Sequence, residues 1–217
     1  MVKSAKLVEA CDRDALEGRI RAHCDAGDKK RAATLLLEGY GREVLGFLIA
    51  RLRDRDAASE VFSQFTEDLW KGLDGFRWQC SARVWAYTLV QHAASRYIRG
   101  AQKRRAHQVP LSRAPLSAIE QKIRTATRAS ARTDARNGLA QLRESLPAED
   151  QTLLILRVNR KLDWKEIAYV MSDESKVLVD SALAKEAVRL RKRFQLAKDR
   201  LRRMAREKGL LSPDGDR

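Results

Sequence analysis

Residues 31–53 read RAATLLLEGYGREVLGFLIARLR. Leu37, Tyr40, Val44, Leu48 and Leu52 recur at steps of three and four, which places them on one stripe of an α-helix with Arg42, Glu43 and Arg51 off it. The spacing predicts a helix over the stretch. Asp54-Arg55-Asp56 interrupts it and opens a second helix, with acids where the helix dipole favours them. That helix turns Val61, Phe62, Phe65 and Leu69 inward and ends near Lys71-Gly72. A loop, Asp74 to Cys80, leads to Ser81 as the expected N-cap of a third helix, about Ala82 to Arg105, with Trp85, Leu89 and Ala93 on its buried side. Composition agrees. The 217 residues include only 11 Gly and 4 Pro, while 34% are charged and 44% hydrophobic, which suits long helices better than a strand-rich sandwich or barrel.

Beyond Ala106 the pattern blurs. Pro110, Pro115 and many Ser, Thr and Arg residues mark a linker to about Ala135, with Ile119 and Ile123 on a short helix. A second helical unit follows, in which Leu139, Leu142 and Leu146 lead to Pro147 in a first helical turn, backed by Glu149 and Asp150. Leu153, Leu154 and Leu156 form a buried segment that ends at Asn159-Arg160-Lys161. At Asp163-Trp164-Lys165-Glu166 the next helix begins with a capping box, flanked by Leu162 and Ile167 at the spacing of a hydrophobic staple. After a polar turn, Ser172 to Ser175, the last helix carries Leu183, Ala187, Leu190, Phe194, Ala197, Leu201 and Met204 inward and a dense set of arginines outward. A helix followed by an arginine-rich helix reads as a helix-turn-helix, whose second helix enters the DNA major groove. The expected fold is all-α: two helical domains joined by a flexible linker, the C-terminal one a helix-turn-helix.

Charge speaks to partners. Forty-four Lys and Arg against 29 Asp and Glu leave +15, which suits phosphate backbones. The first residues lack the apolar run of a signal peptide, and Val44 to Ala50 is too short to span a bilayer, so a cytoplasmic protein without membrane contact is expected. Cys11, Cys24 and Cys80 form no CxxC pair, so no disulfide framework or metal knuckle is expected, and no cofactor. A P-loop, an HxE…CxxC pattern, a carboxylate cluster and a Ser/His/Asp arrangement are all missing, so no enzyme is expected.

The two signs are segregated along the first unit. Asp54, Asp56, Glu60, Glu67, Asp68 and Asp74 face only Arg55 and Lys71, whereas Gly75 to Ile119 holds no acid at all. Such segregation suggests one basic and one polyanionic partner. Phe76, Trp78, Trp85 and Tyr87 accompany the basic run, and aromatic faces in a positive groove suit unstacked bases. Trp78, in a polar loop, is the better candidate; Trp85 falls on the Leu89/Ala93 stripe, which suits core packing.

In order and spacing these segments resemble an extracytoplasmic-function sigma factor of bacterial RNA polymerase. The resemblance runs from about Ala33 to Arg206. It is carried by the Tyr40 helix, by Ala58-Ser59-Glu60-Val61-Phe62-Ser63-Gln64-Phe65 through Leu69-Trp70, and by Phe76-Arg77 with Ser81-Ala82-Arg83-Val84-Trp85-Ala86-Tyr87. The Arg96–Arg105 tail, Leu146-Pro147, Leu153-Leu154-Ile155-Leu156-Arg157 and Trp164-Lys165-Glu166-Ile167-Ala168 continue it. It implies an N-terminal extension over 1–32, a region 2 domain over 33–106, a linker over 107–135, a region 4 helix-turn-helix domain over 136–208 and a tail over 209–217. It also implies a non-enzymatic factor that binds core polymerase and both double- and single-stranded promoter DNA, with an anti-sigma factor as a further candidate partner. By resemblance, Glu60, Gln64, Glu67 and Asp68 would bind polymerase. Arg77, Trp78, Arg83, His92, Arg96 and Arg99 would open the minus-ten element, and Arg189, Arg191, Lys192 and Arg193 would read the minus-thirty-five element. The rival reading is a helix-turn-helix regulator that does not touch polymerase.

Three departures accompany the resemblance. Ser59 and Ser63 stand where an acid and a Gln are common, and His92 where Asn is common. About a dozen extra residues, roughly Asp173 to Lys185, separate the two helices of the reading motif, so they extend a helix or the recognition helix starts earlier than Arg189. The initiation reading requires that Glu60, Glu67 and Asp68 lie on a different surface from Arg83, Arg96 and Arg99, and that these arginines reach solvent.

Overall fold

The structure, a computed structural model, describes residues 2–104, 123, 142–172 and 180–209, excepting the side chains of 2–11 and 101–104. It divides into two compact units, Met1–Thr127 and Arg128–Arg217. Apart from Ile123, the linker expected over 107–135 lies outside the described residues, as do 173–179 and 210–217. All regular structure among the described residues is helical.

The first unit holds α1 (Val2–Asp25), α2 (Lys29–Leu52), α3 (Arg55–Gly72), a 3-10 turn (Leu73–Gly75) and α4 (Ala82–Arg104). Local chemistry sets each boundary. Asp28 caps α2 by accepting from the Arg31 amide at 3.0 Å, so this helix begins two residues before the stretch that the spacing predicts. Its end is marked by Arg53 in the left-handed conformation, φ 56. Asp54 then accepts from the Asp56 and Ala57 amides at 2.8 and 3.0 Å, which starts α3 where the acids predict it. Ser81 is the N-cap of α4, its Oγ accepting from the Val84 amide at 3.2 Å.

The core lies between α2, α3 and α4, with Phe47, Leu48, Phe62, Phe65, Leu69 and Tyr87 fully buried. Each such side chain contributes about 1.5–3 kcal/mol relative to an exposed one. Ile123 is also buried, and a Cβ on Gly41 would overlap its side chain, so Gly41 provides the close approach that Ile123 needs. The stripe expected on α4 requires correction. Trp85 and Leu89 are only half-buried, whereas Val84, Tyr87, Val90, Ala93 and Ala94 are buried. The reason is that α4 touches α1, α2 and α3, so it buries a wide face that a single periodic stripe cannot delineate.

In the second unit, α5 (Ala148–Leu154) runs into a π-helical turn, Ile155–Asn159, closed by the Arg160 amide donating to the Ile155 carbonyl at 3.0 Å. Then come α6 (Trp164–Val170) and α7 (Asp180–Glu207). The capping box of α6 is complete: Asp163 Oδ1 accepts from the Glu166 amide at 2.8 Å and Glu166 Oε2 from the Asp163 amide at 2.7 Å. Leu162 and Ile167 are both fully buried, as the staple requires. Along α7, Leu183, Leu190 and Ala197 face α5 and α6, and Phe194, Leu201 and Met204 pack on the Leu146/Leu154/Ala197 cluster. The Trp164 ring meets Phe194 edge-on at 5.4 Å.

Candidate nucleic-acid interface

Glu60, Gln64, Glu67 and Asp68 share one face of α3 at steps of four, three and one, and all four are half-buried. Gln64 Nε2 donates to Asp68 Oδ1 at 3.1 Å, and Lys71 pairs with Glu67 at 3.5 Å. On α4, His92, Arg96 and Arg99 share a face at i, i+4 and i+7; the two arginines are exposed and the histidine is half-buried.

The acidic and basic faces meet where Asp68 and Arg96 pair, so the required separation does not hold at that point, but Arg96 and Arg99 still reach solvent. Arg96 bonds to Asp68, which joins the acidic face of α3 to the basic face of α4. Packing of α3 against α4 brings the two together, a relation that linear charge blocks do not reveal. The second correction concerns Arg83. Its side chain is 9% exposed, and its Nε and a terminal nitrogen donate to Glu43 Oε2 at 3.0 and 2.8 Å. That oxygen also accepts from the Tyr87 hydroxyl at 3.3 Å. Arg83 therefore neutralises Glu43 inside the helical bundle, and Tyr87, fully buried and edge-on to Phe47, presents no face to a base.

The loop keeps its aromatic character. Phe76 stacks on Trp85 at 4.5 Å and 16°, and lies against Trp78 at 4.7 Å and 45°. Trp78 has φ 55, an unusual backbone conformation for so bulky a residue, which persists where its surroundings hold it. The Arg21 guanidinium lies 5.5 Å above its ring, and Arg77 is exposed beside it. A cleft of about 210 Å³ adjoins the loop, lined by Cys24, Asp25, Gly27, Lys29, Leu73, Asp74, Phe76 and Trp78. There Lys29 pairs with Asp74 at 2.5 Å and sits over Trp70 at 4.9 Å. Burial, then the nearby carboxylates of Asp25 and Asp74, push the Cys24 thiol above its usual value. Among the described residues no cluster of three or more His, Cys, Asp or Glu could hold a metal.

The α2–α4 seam holds a half-buried cation, Arg51, that sequence reasoning left off the apolar stripe. Arg51 donates to the Gln91 side chain and to Ser95 Oγ at 3.2 Å, and burial draws its guanidinium down to about 10. It stays charged at neutral pH.

In the second unit, α7 begins at Asp180, so residues 180–185 of the extra stretch belong to the last helix. Asp180 pairs with Lys165 at the start of α6 at 2.9 Å. The four basic residues expected to read DNA divide into two kinds. Arg189 makes a bidentate pair with Glu186, and Arg193 bonds to both Glu149 and Asp150 of α5. The hydrogen bonds each guanidinium donates to a carboxylate, Arg189 to Glu186 and Arg193 to Asp150, hold both guanidiniums above their usual value. Arg193 thus braces α7 on α5. Arg191 and Lys192 are exposed.

Residues 36–104, from within α2 to the end of α4, match the family described as Sigma-70 region 2, a region that in sigma-70 factors is involved in promoter recognition and melting. That family comprises non-enzymatic transcription initiation factors. No curated protein matches the chain. Among the described residues no helix is long and apolar enough to cross a membrane.

Proposed function

We propose that the protein is an extracytoplasmic-function sigma factor that joins core RNA polymerase in the cytoplasm, recognises promoter DNA and opens the minus-ten element. The single observation that carries this reading is the coincidence of the region 2 match with an aromatic loop flanked by exposed cations. In this reading Glu60, Gln64 and Glu67 on α3 dock on polymerase, with Asp68 both contributing there and orienting Arg96. Arg77, Arg96 and Arg99 hold phosphates, while Trp78 and His92 meet the separated strand. Stacking worth about 1–3 kcal/mol per base offsets the cost of unstacking the duplex. Arg83 serves this surface from within, by fixing α4 against α2.

The C-terminal unit supplies the address. Recognition helices contact bases through their N-terminal residues, so the stretch of α7 from Asp180 through Arg191 and Lys192 faces the minus-thirty-five element. Arg191→Ala is expected to weaken upstream-element binding and to reduce its salt slope by about 1 if the contact is to phosphate. Arg189→Ala, whose guanidinium is already engaged by Glu186, should weaken it less. Filter binding across a salt series checks both, and unchanged affinity in Arg191→Ala would remove this residue from the interface.

The whole reading is tested by run-off transcription from a library of random promoters with purified core enzyme. Promoter-selective transcripts that require the chain support it. A chain that binds DNA yet neither co-purifies with core polymerase nor directs transcription is a regulator instead.

A further inference from the structure

Residues 1–32 have no part in the reading above, yet α1 grips the strand-opening loop at two points. Glu17 Oε2 accepts from the Ala82 amide at 2.7 Å and Oε1 from the Arg83 amide at 3.0 Å. Ser81 Oγ takes the next amide, Val84, so the first three donors of α4 are all satisfied, two of them by a side chain from another helix. A carboxylate there also complements the helix dipole. Oε1 accepts in addition from the Tyr40 hydroxyl at 2.7 Å, and burial, then this bond, hold that phenol well above the usual tyrosine value. One turn along α1, Arg21 covers the ring of Trp78.

The loop from Phe76 to Ser81 therefore has two fixed ends. Leu73 is buried at its entrance, and the first turn of α4 is held by Glu17 at its exit. We propose that Glu17 is a positioning residue for promoter opening: by anchoring the start of α4 to α1 it sets the geometry in which Phe76 and Trp78 receive an unstacked base. The proposal rests on the base-capturing role of that loop. A helix cap that served stability alone would be supplied by Ser81; Glu17 adds the tie between helices.

The test uses the full chain in holoenzyme on a duplex promoter carrying 2-aminopurine in the minus-ten element. Glu17→Ala should slow strand opening about tenfold, the scale of a lost cap, with core affinity and closed-complex affinity within about twofold of wild type. In a Trp78→Ala background the same substitution should change the opening rate less than about twofold, because both act on one step. Multiplicative effects would mean that Glu17 acts only through stability, and would overturn the proposal. If Trp78→Ala slows opening while Glu17→Ala does not, the proposal falls and base capture stands; if Trp78→Ala is itself silent, base capture falls. Should Glu17→Ala not fold, Glu17→Gln retains the volume and one acceptor oxygen. It should give a smaller loss with the same dependence on Trp78, and an unchanged opening rate would overturn the proposal.

Discussion

Glu43→Ala is expected to destabilise the first unit by about 2–3 kcal/mol, below the usual 3–5 for a fully buried pair because Glu43 is 29% exposed. Removing the carboxylate takes from the largely buried Arg83 guanidinium, 9% exposed, the Glu43 oxygen that two of its nitrogens bond, and takes the same acceptor from the Tyr87 hydroxyl. Arg83→Met should cost less, about 1 kcal/mol, since it removes the buried charge along with its demand for a partner and preserves the aliphatic packing. Urea denaturation of the two variants measures the difference. Equal losses would mean that Arg83 finds water in the folded state, and would return it to the solvent-facing set.

Trp78→Ala is expected to reduce open-complex formation roughly tenfold or more, from a stacking contribution of about 1–3 kcal/mol. Closed-complex affinity should change little, because duplex binding rests on phosphate contacts rather than on ring faces. Fold stability should hardly move. The ring is only half-buried between Arg21 and Phe76, so partial packing is lost, and alanine keeps the Cβ that φ 55 strains, so that strain is unchanged. Permanganate reactivity of the minus-ten thymines against gel-shift affinity on the same promoter separates the steps. Equal losses in both assays would count against base trapping.

These two predictions differ in how far the residues behind them can be read from the chain. Trp78 is legible because a tryptophan in a polar loop, between a helix end at Gly72 and a cap at Ser81, has no periodic stripe to join. Arg83 misleads for the opposite reason. It stands in an acid-free run that reads as a basic surface, and its counter-ion is 40 residues earlier on another helix. The pairings of Asp68 with Arg96 and of Arg193 with Glu149 and Asp150 are of the same kind. Glu17 carries no local signal at all, since its partners are backbone amides about 65 residues away.

Sequence by itself determined the helical class, the helix start at Asp54–Asp56, the caps at Ser81 and Asp163, the staple at Leu162 and Ile167, and the inward register of the last helix. Each depends on residues within one or two turns of one another, where spacing and hydrogen-bonding capacity are visible in the chain. Tertiary structure decided which arginines face solvent, how wide a face α4 buries, and which groups the first helix touches. Those outcomes depend on which helices become neighbours, and a guanidinium goes wherever packing places a carboxylate within reach.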